Sequence, residues 1–103
     1  MDGMEFKVIF KDTFLADLEG LLRWIAAHNP AAARRLGEAI VRAAEELRFF
    51  PERHPRIRQR PAIRRFIAGK HFKVFYRIQS ATRTVEILRC WDGRREADPI
   101  IEP

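Results

Sequence analysis

This chain is poor in the residues that a secreted or membrane-bound protein relies on. Its one cysteine, Cys90, excludes an internal disulfide and sits in an apolar strand pattern, so it reads as core, and a reducing, cytoplasmic setting is expected. No apolar run approaches the roughly 18 residues of a membrane span, and the N-terminus lacks the basic-then-apolar layout of a signal peptide. The three histidines, His28, His54 and His71, show no metal-ligand spacing, so neither a metal nor a cofactor is expected. Internal repeats and low-complexity tracts are missing too. The shortage with the largest consequence is of negative charge: between residues 53 and 95 only Glu86 and Asp92 face thirteen basic residues.

The first half is the reverse, with seven basic and nine acidic side chains up to residue 52, and the tail from 96 to 103 adds Glu96, Asp98 and Glu102. Sixteen of the twenty basic residues are arginine, whose planar fork suits bidentate contact with carboxylate or phosphate. So segregated a surplus repels itself without a partner, which points to an anionic one, nucleic acid or an acidic peptide. At 103 residues one domain is expected over 1–103, since two would each bury too little apolar surface. Residues 1–4 read as a disordered extension, with Met4 as an alternative start.

Residues 5–10 alternate, placing Phe6, Val8 and Phe10 on one side of a half-buried strand. Asp12 or Thr13 is expected to cap the helix that follows, whose stripe is Phe14, Leu18, Leu21, Leu22 and Ile25. Trp24 lies off that stripe, so it seals the core's edge or touches a partner. Asn29-Pro30 restarts the chain as a second helix carrying Ala33, Leu36, Ile40, Ala43, Leu47 and Phe50 inward until Pro51. Gly37 weakens that helix by about 1 kcal/mol relative to Ala, which suggests a close approach of the first helix. Residues 51–61, PERHPRIRQRP, read as an arginine-dense loop. Strands at 63–67, 72–79 and 83–90 follow, joined by short turns that force an antiparallel meander. In the middle strand Phe72, Val74, Tyr76 and Ile78 face the helices, while His71, Lys73, Phe75 and Arg77 form a charged face. The expected fold is α+β, a helical hairpin laid across one sheet face. Whether the first strand joins at an edge or between others is left open.

This order, with KVIFKDTFLADLEGLLRWIAAHNPAAARRLGEAI first, ELRFFPERHPRIR at the loop, and FKVFYRI and VEILRCWDGRRE at the end, resembles the RelE/ParE superfamily of type II toxins along nearly the whole chain. The resemblance implies a compact toxin silenced by a cognate, ParD-like antitoxin in a hetero-oligomer. It further implies one of two targets, the ribosome with its messenger RNA for RelE-like members or DNA gyrase for ParE-like members, the latter without hydrolytic chemistry.

Cleavage through a 2′-hydroxyl needs a base, a cation to steady the pentavalent phosphate and an acid for the leaving oxygen. Arg64, Arg65, Arg77 and Arg89 supply candidate charge and His71 a candidate proton carrier. No tyrosine follows the last strand, Tyr76 reads as core, and His28 and His54 read as structural. ParE-like sequences commonly place His-Gly and basic residues after the last strand, whereas this chain has Asp92-Gly93-Arg94-Arg95, with Asp92 suited to capping the turn. The chain therefore sits nearer the ParE branch, for which Arg94 and Arg95, with Arg56, Arg58 and Arg60, are the candidate contacts to gyrase or its DNA. The same arginines could equally seat antitoxin carboxylates, and a non-toxic binding module on the same fold is the third reading.

Overall fold

The computed structural model describes residues 5–102, so the readings placed on residues 1–4 lie outside it. Strand β1 (Lys7–Phe10) leads into helices α1 (Asp12–Ala26) and α2 (Pro30–Glu45), and single 3-10 turns follow at Glu46–Arg48 and Pro51–Arg53. The remaining chain is β2 (Arg56–Ile57), β3 (Arg60–Ala68), β4 (Phe72–Gln79), a 3-10 turn at Ser80–Thr82, and β5 (Thr84–Asp92). The sheet order is β1-β5-β4-β3-β2. The expected meander is present as β3, β4 and β5, and β1 joins its edge parallel to β5, pairing Lys7 with Thr84 through Phe10 with Ile87.

Two local expectations are corrected. Neither Asp12 nor Thr13 caps α1; Lys11 occupies the cap without a side-chain bond, and the Thr13 hydroxyl instead donates to the Leu88 carbonyl at 2.8 Å. The arginine loop is partly strand: Arg56 pairs with Arg64 and Ile57 with Arg60. Pro61 is tolerated inside β3 because it falls in the irregular register between those pairs and precedes the first pairing to β4, so no ladder bond needs its missing N–H. Asn29 behaves as read, its side chain accepting from the Ala32 amide at 3.0 Å ahead of Pro30.

The hairpin covers one sheet face, where Phe14, Leu18, Ile40, Ala44 and Leu47 meet Phe66, Val74, Tyr76, Val85 and Ile87. A Cβ on Gly37 would sit 2.8 Å from Leu22 Cδ1, which is the close helix approach that the glycine signalled. Because only a side-chain tip obstructs it, Gly37→Ala should stay within about 1 kcal/mol of the parent, while Gly37→Val should cost about 2 kcal/mol, as read by urea denaturation. The stripe on α2 ends earlier than expected: Leu47 is buried by the 3-10 turn, but Phe50 and its neighbour Phe49 are more than half exposed.

The other sheet face is not simply charged. A bulge between Phe75 and Tyr76 shifts the register so that Phe75 pairs with Arg89 and Tyr76 with Ile87, leaving Leu88 as the extra residue. Ile63, Phe75, Leu88 and Ile101 form a second apolar cluster there. The acidic tail straps it. Trp91 Nε1 donates to the Ala97 carbonyl at 2.8 Å, Arg89 Nη1 to the Ile100 carbonyl at 2.9 Å and Arg60 to the Ile101 carbonyl, while Lys73 meets Asp98 at 2.8 Å. Among the described residues no helix is long and apolar enough to cross a membrane.

Candidate binding cleft and its arginines

Strand β1 covers β5 only as far as Ile87. Beyond that point α1 takes over the edge with side chains one turn apart: Thr13 satisfies the Leu88 carbonyl, and Asp17 accepts from the Cys90 amide at 3.1 Å. Asp17 also accepts from Arg89 Nε at 2.7 Å and Nη2 at 2.9 Å, so this arginine is a fastener between helix and sheet rather than a free cation. The Asp17 hydrogen bond raises the Arg89 pKa despite partial burial. Burial, reinforced by the Asp17 charge, pushes the Cys90 thiol up to about 12, leaving it unreactive at neutral pH in keeping with its core reading.

Arg77 is likewise committed, donating to Glu86 Oε1 from Nε at 2.9 Å and Nη2 at 2.8 Å. Burial pushes the Glu86 carboxyl up, but bonds from Arg77 and Gln79 and the Arg77 and Lys11 charges outweigh it and hold the group below its ordinary value of 4.5. A depressed folded-state pKa gives stability that is present above the ordinary value and lost as pH falls through the folded one. Urea midpoints should therefore drop as pH falls below about 4.5, and the Glu86→Gln variant should show a shallower drop there.

The candidate hydrolytic set assembles only in part: Arg65 and Arg89 both pair with Phe75 and Arg77 lies two residues further along β4, whereas Arg64 and His71 fall elsewhere. Arg64 and Arg65 are strand neighbours and point to opposite faces. Arg64 Nη1 donates to the His54 carbonyl at 2.7 Å and the Glu52 carbonyl at 3.2 Å, pinning the loop. His71 precedes β4, roughly 20 Å along the strand from Arg77 at about 3.3 Å per residue, and its Nε2 is buried without a partner beside the Phe72 ring. Tyr76 is fully buried as read, its hydroxyl donating to the Pro51 carbonyl at 2.6 Å, and burial pushes it up to about 12 against the opposing charge of Arg64. His54 packs on Phe66 with ring centroids 5.1 Å apart, and burial and the Arg53 charge lower its pKa. Among the described residues no group of three or more His, Cys, Asp or Glu side chains gathers to hold a metal ion.

The two arginine groups expected to act together lie apart. Arg56, Arg58 and Arg60 sit on the β2–β3 hairpin at the far edge of the sheet, at the end where β3 begins. Arg94 and Arg95 follow β5, whose end pairs with the start of β4 at Phe72. The length of β3, roughly 27 Å at about 3.3 Å per residue, separates the two ends. Asp92 caps the turn as read: it accepts from the Arg94 amide at 2.9 Å and from its guanidinium at 3.0 and 2.7 Å, which holds its carboxyl well below the usual range. The Arg95 guanidinium lies 4.1 Å from the Trp91 ring centre, with Arg89 at 5.3 Å. Among the described residues Arg56, Arg58, Arg65 and Arg95 make no ion pair, so the usable cationic surface is smaller than the sequence implied.

Gly93 holds this turn against the sheet, its amide donating to the His71 carbonyl at 2.7 Å. A Cβ there would collide with that same backbone oxygen, which has no flexible tip to swing aside. Gly93→Ala should cost about 2 kcal/mol and displace Arg94 and Arg95, detectable as a fall in melting temperature with changed Trp91 fluorescence.

Between α1 and this turn opens a cleft of about 550 Å³, lined by Ala16, Asp17, Gly20, Trp24, Trp91 and Arg95 among others. Trp24 is 63% exposed beside it, so it does not seal the edge of the core. The sequence signal for the cleft was present in Trp24's position off the apolar stripe; that Trp91 lines the same cleft depended on how α1 crosses β5.

The fold has counterparts among solved structures. The chromosomal ParDE toxin–antitoxin system of P. aeruginosa aligns at TM-score 0.74 and 17% identity, covering 86% of this chain and 97% of that one. The RelBE2 toxin–antitoxin complex of Mycobacterium tuberculosis aligns at 0.63 and 26% identity, covering 85% and 98%. A doubly substituted E. coli RelE toxin in the free state aligns at 0.64 and 13% identity, covering 88% and 86%. Comparison with curated proteins gave no match. Residues 8–97 match the model of the ParE toxin of type II toxin–antitoxin systems, and the chain belongs to that family.

Proposed function

We propose that this toxin, acting as a single domain in the cytoplasm, arrests growth by binding DNA gyrase and is silenced by a cognate ParD-like antitoxin in a hetero-oligomer. The observation that carries the reading is the commitment of the hydrolytic groups to bonds within the fold. Arg77 and Arg89 are spent on Glu86 and Asp17, the tyrosine hydroxyl is bonded inside the core, and His71 lies six residues along the chain from Arg77 at the other end of β4. A surface that carries guanidinium groups without an ion pair at Arg56, Arg58 and Arg95 suits recognition of an anionic face over bond cleavage. The contacts assigned to gyrase or its DNA are Arg94 and Arg95 on one end and Arg56, Arg58 and Arg60 on the other. Their separation makes them two contact points on a large target.

The relationship to a RelE-type complex supports a second reading, ribosome-dependent messenger RNA cleavage, in which Arg64 and Arg65 would have to be rearranged. A supercoiling assay decides between them. Purified toxin at micromolar concentration should inhibit gyrase, and Arg94→Glu/Arg95→Glu should weaken inhibition at least tenfold. Unchanged supercoiling by a protein that still arrests cells would remove the gyrase assignment.

A further inference from the structure

The tail leaves the terminal turn and crosses the sheet face opposite the helices, where Pro99 and Ile101 are its only buried residues between 94 and 102. It forms no strand, and its fixed points are acceptors offered to side chains of the sheet. Lys73 meets Asp98 at 2.8 Å, Arg89 Nη1 donates to the Ile100 carbonyl at 2.9 Å, Arg60 donates to the Ile101 carbonyl, and Trp91 Nε1 donates to the Ala97 carbonyl. A segment with two buried side chains and no ladder belongs to the low-stability end of a fold, where opening leaves the rest intact. Beneath it lie Ile63, Phe75 and Leu88, and Arg65, which pairs with Phe75 across β3 and β4, shares their face.

Two of the three cations under the tail are covered by it without being neutralised by it. Arg60 and Arg89 bond carbonyls, which carry no full charge, and only Lys73 gains a carboxylate there. An external carboxylate or phosphate would add a full counter-charge and a bidentate fit that a carbonyl does not offer. Meanwhile the closed tail carries Glu96, Asp98 and Glu102, which repel an approaching anion. We propose that residues 96–102 are an autoinhibitory strap. Closed, the tail shields Arg60, Lys73 and the apolar ridge from an anionic target; lifted, it exposes them together with Arg65, while Arg89 stays on Asp17. The proposal rests on the gyrase reading above and adds its regulation, and it accounts for Arg60, a target contact in that reading, being occupied by the chain itself.

Inhibition of gyrase supercoiling by the full chain and its point variants tests the strap. Ile101→Ala loosens the tail without changing charge and should inhibit at about tenfold lower concentration, since apparent affinity rises with the fraction of molecules already open. Ile100→Ala, whose side chain is exposed, should stay within twofold of the parent. Asp98→Asn, which frees Lys73, should gain about threefold. Glu38→Gln, the same change in charge at an exposed position of α2, should stay within twofold. Opening is read separately: in a Trp24→Phe background Trp91 is the one tryptophan left, and its emission should move to longer wavelength in Ile101→Ala but not in Ile100→Ala. A tail that is only structural predicts the opposite sign, a less stable Ile101→Ala with equal or weaker inhibition. That result, or an unshifted Trp91, overturns the strap while the gyrase reading stands. Should Ile101→Ala not fold, Asp98→Asn carries the test, and inhibition no stronger than that of Glu38→Gln overturns the strap. If neither the parent nor any variant inhibits gyrase, the gyrase reading goes and this proposal with it.

Discussion

Replacing Asp17 with alanine should destabilise the fold by about 3 kcal/mol, lowering the melting temperature by roughly 15 °C for a domain of this size. The carboxylate does three things at once: two bonds to Arg89 and one to the Cys90 amide. Its removal leaves a mostly buried guanidinium without a counter-charge and an edge amide without an acceptor, the asymmetric loss that costs more than the intact bonds contribute. About a fifth of the Arg89 side chain remains exposed, so water offsets part of the cost and holds it at the low end of the range for buried pairs. Asp17→Asn keeps an acceptor for Cys90 and should lose about half as much. Thermal unfolding of the two variants separates these contributions. Equal losses, or a loss below about 1 kcal/mol for alanine, would show that α1 is held to β5 by packing alone.

A comparably large effect should come from the tail. Ile101→Ala should cost about 2 kcal/mol, because Ile101 is 8% exposed among Ile63, Phe75 and Leu88, whereas Ile100→Ala, at 80% exposure, should stay within about 0.5 kcal/mol. Ending the chain at Glu96 removes Ile101, the buried Pro99, the Asp98–Lys73 pair and the carbonyls that Arg60 and Arg89 bond. That truncation should cost about 4 kcal/mol, combining apolar burial with hydrogen bonds of about 1 kcal/mol each. Urea denaturation checks the series. If Ile100→Ala and Ile101→Ala are equivalent, the tail does not lie on the sheet as described.

Much of the architecture was legible because local signals agreed with one another. The Asn29-Pro30 restart, the alternation through 72–79 and the small Gly37 each reported a constraint that acts within a few residues. What escaped was set by distant partners. Thr13 had the composition of a cap, but the uncovered edge of β5, seventy-five positions on, offered its hydroxyl a better acceptor. Phe75 carried the period of a charged face, yet a bulge and a returning tail buried it. The basic surplus was read correctly as a quantity and misjudged as a surface, because Glu86 and Asp17, one acidic residue inside the basic half and one from the first helix, lock Arg77 and Arg89. The acidic tail similarly looked like a terminal appendage until its alternation of Pro99 and Ile101 met a second apolar cluster. Charge counts along the chain do not reveal which residues the fold brings opposite one another.

On the proposed reading, this surface recognises its target without cutting it. Mapping the 5′ ends of cellular transcripts after induction tests it most directly. Growth should stop with no new codon-positioned ends, in the unaltered toxin and in the Tyr76→Phe and His71→Ala variants alike. New ends that track ribosome position and vanish in the His71→Ala variant would contradict it.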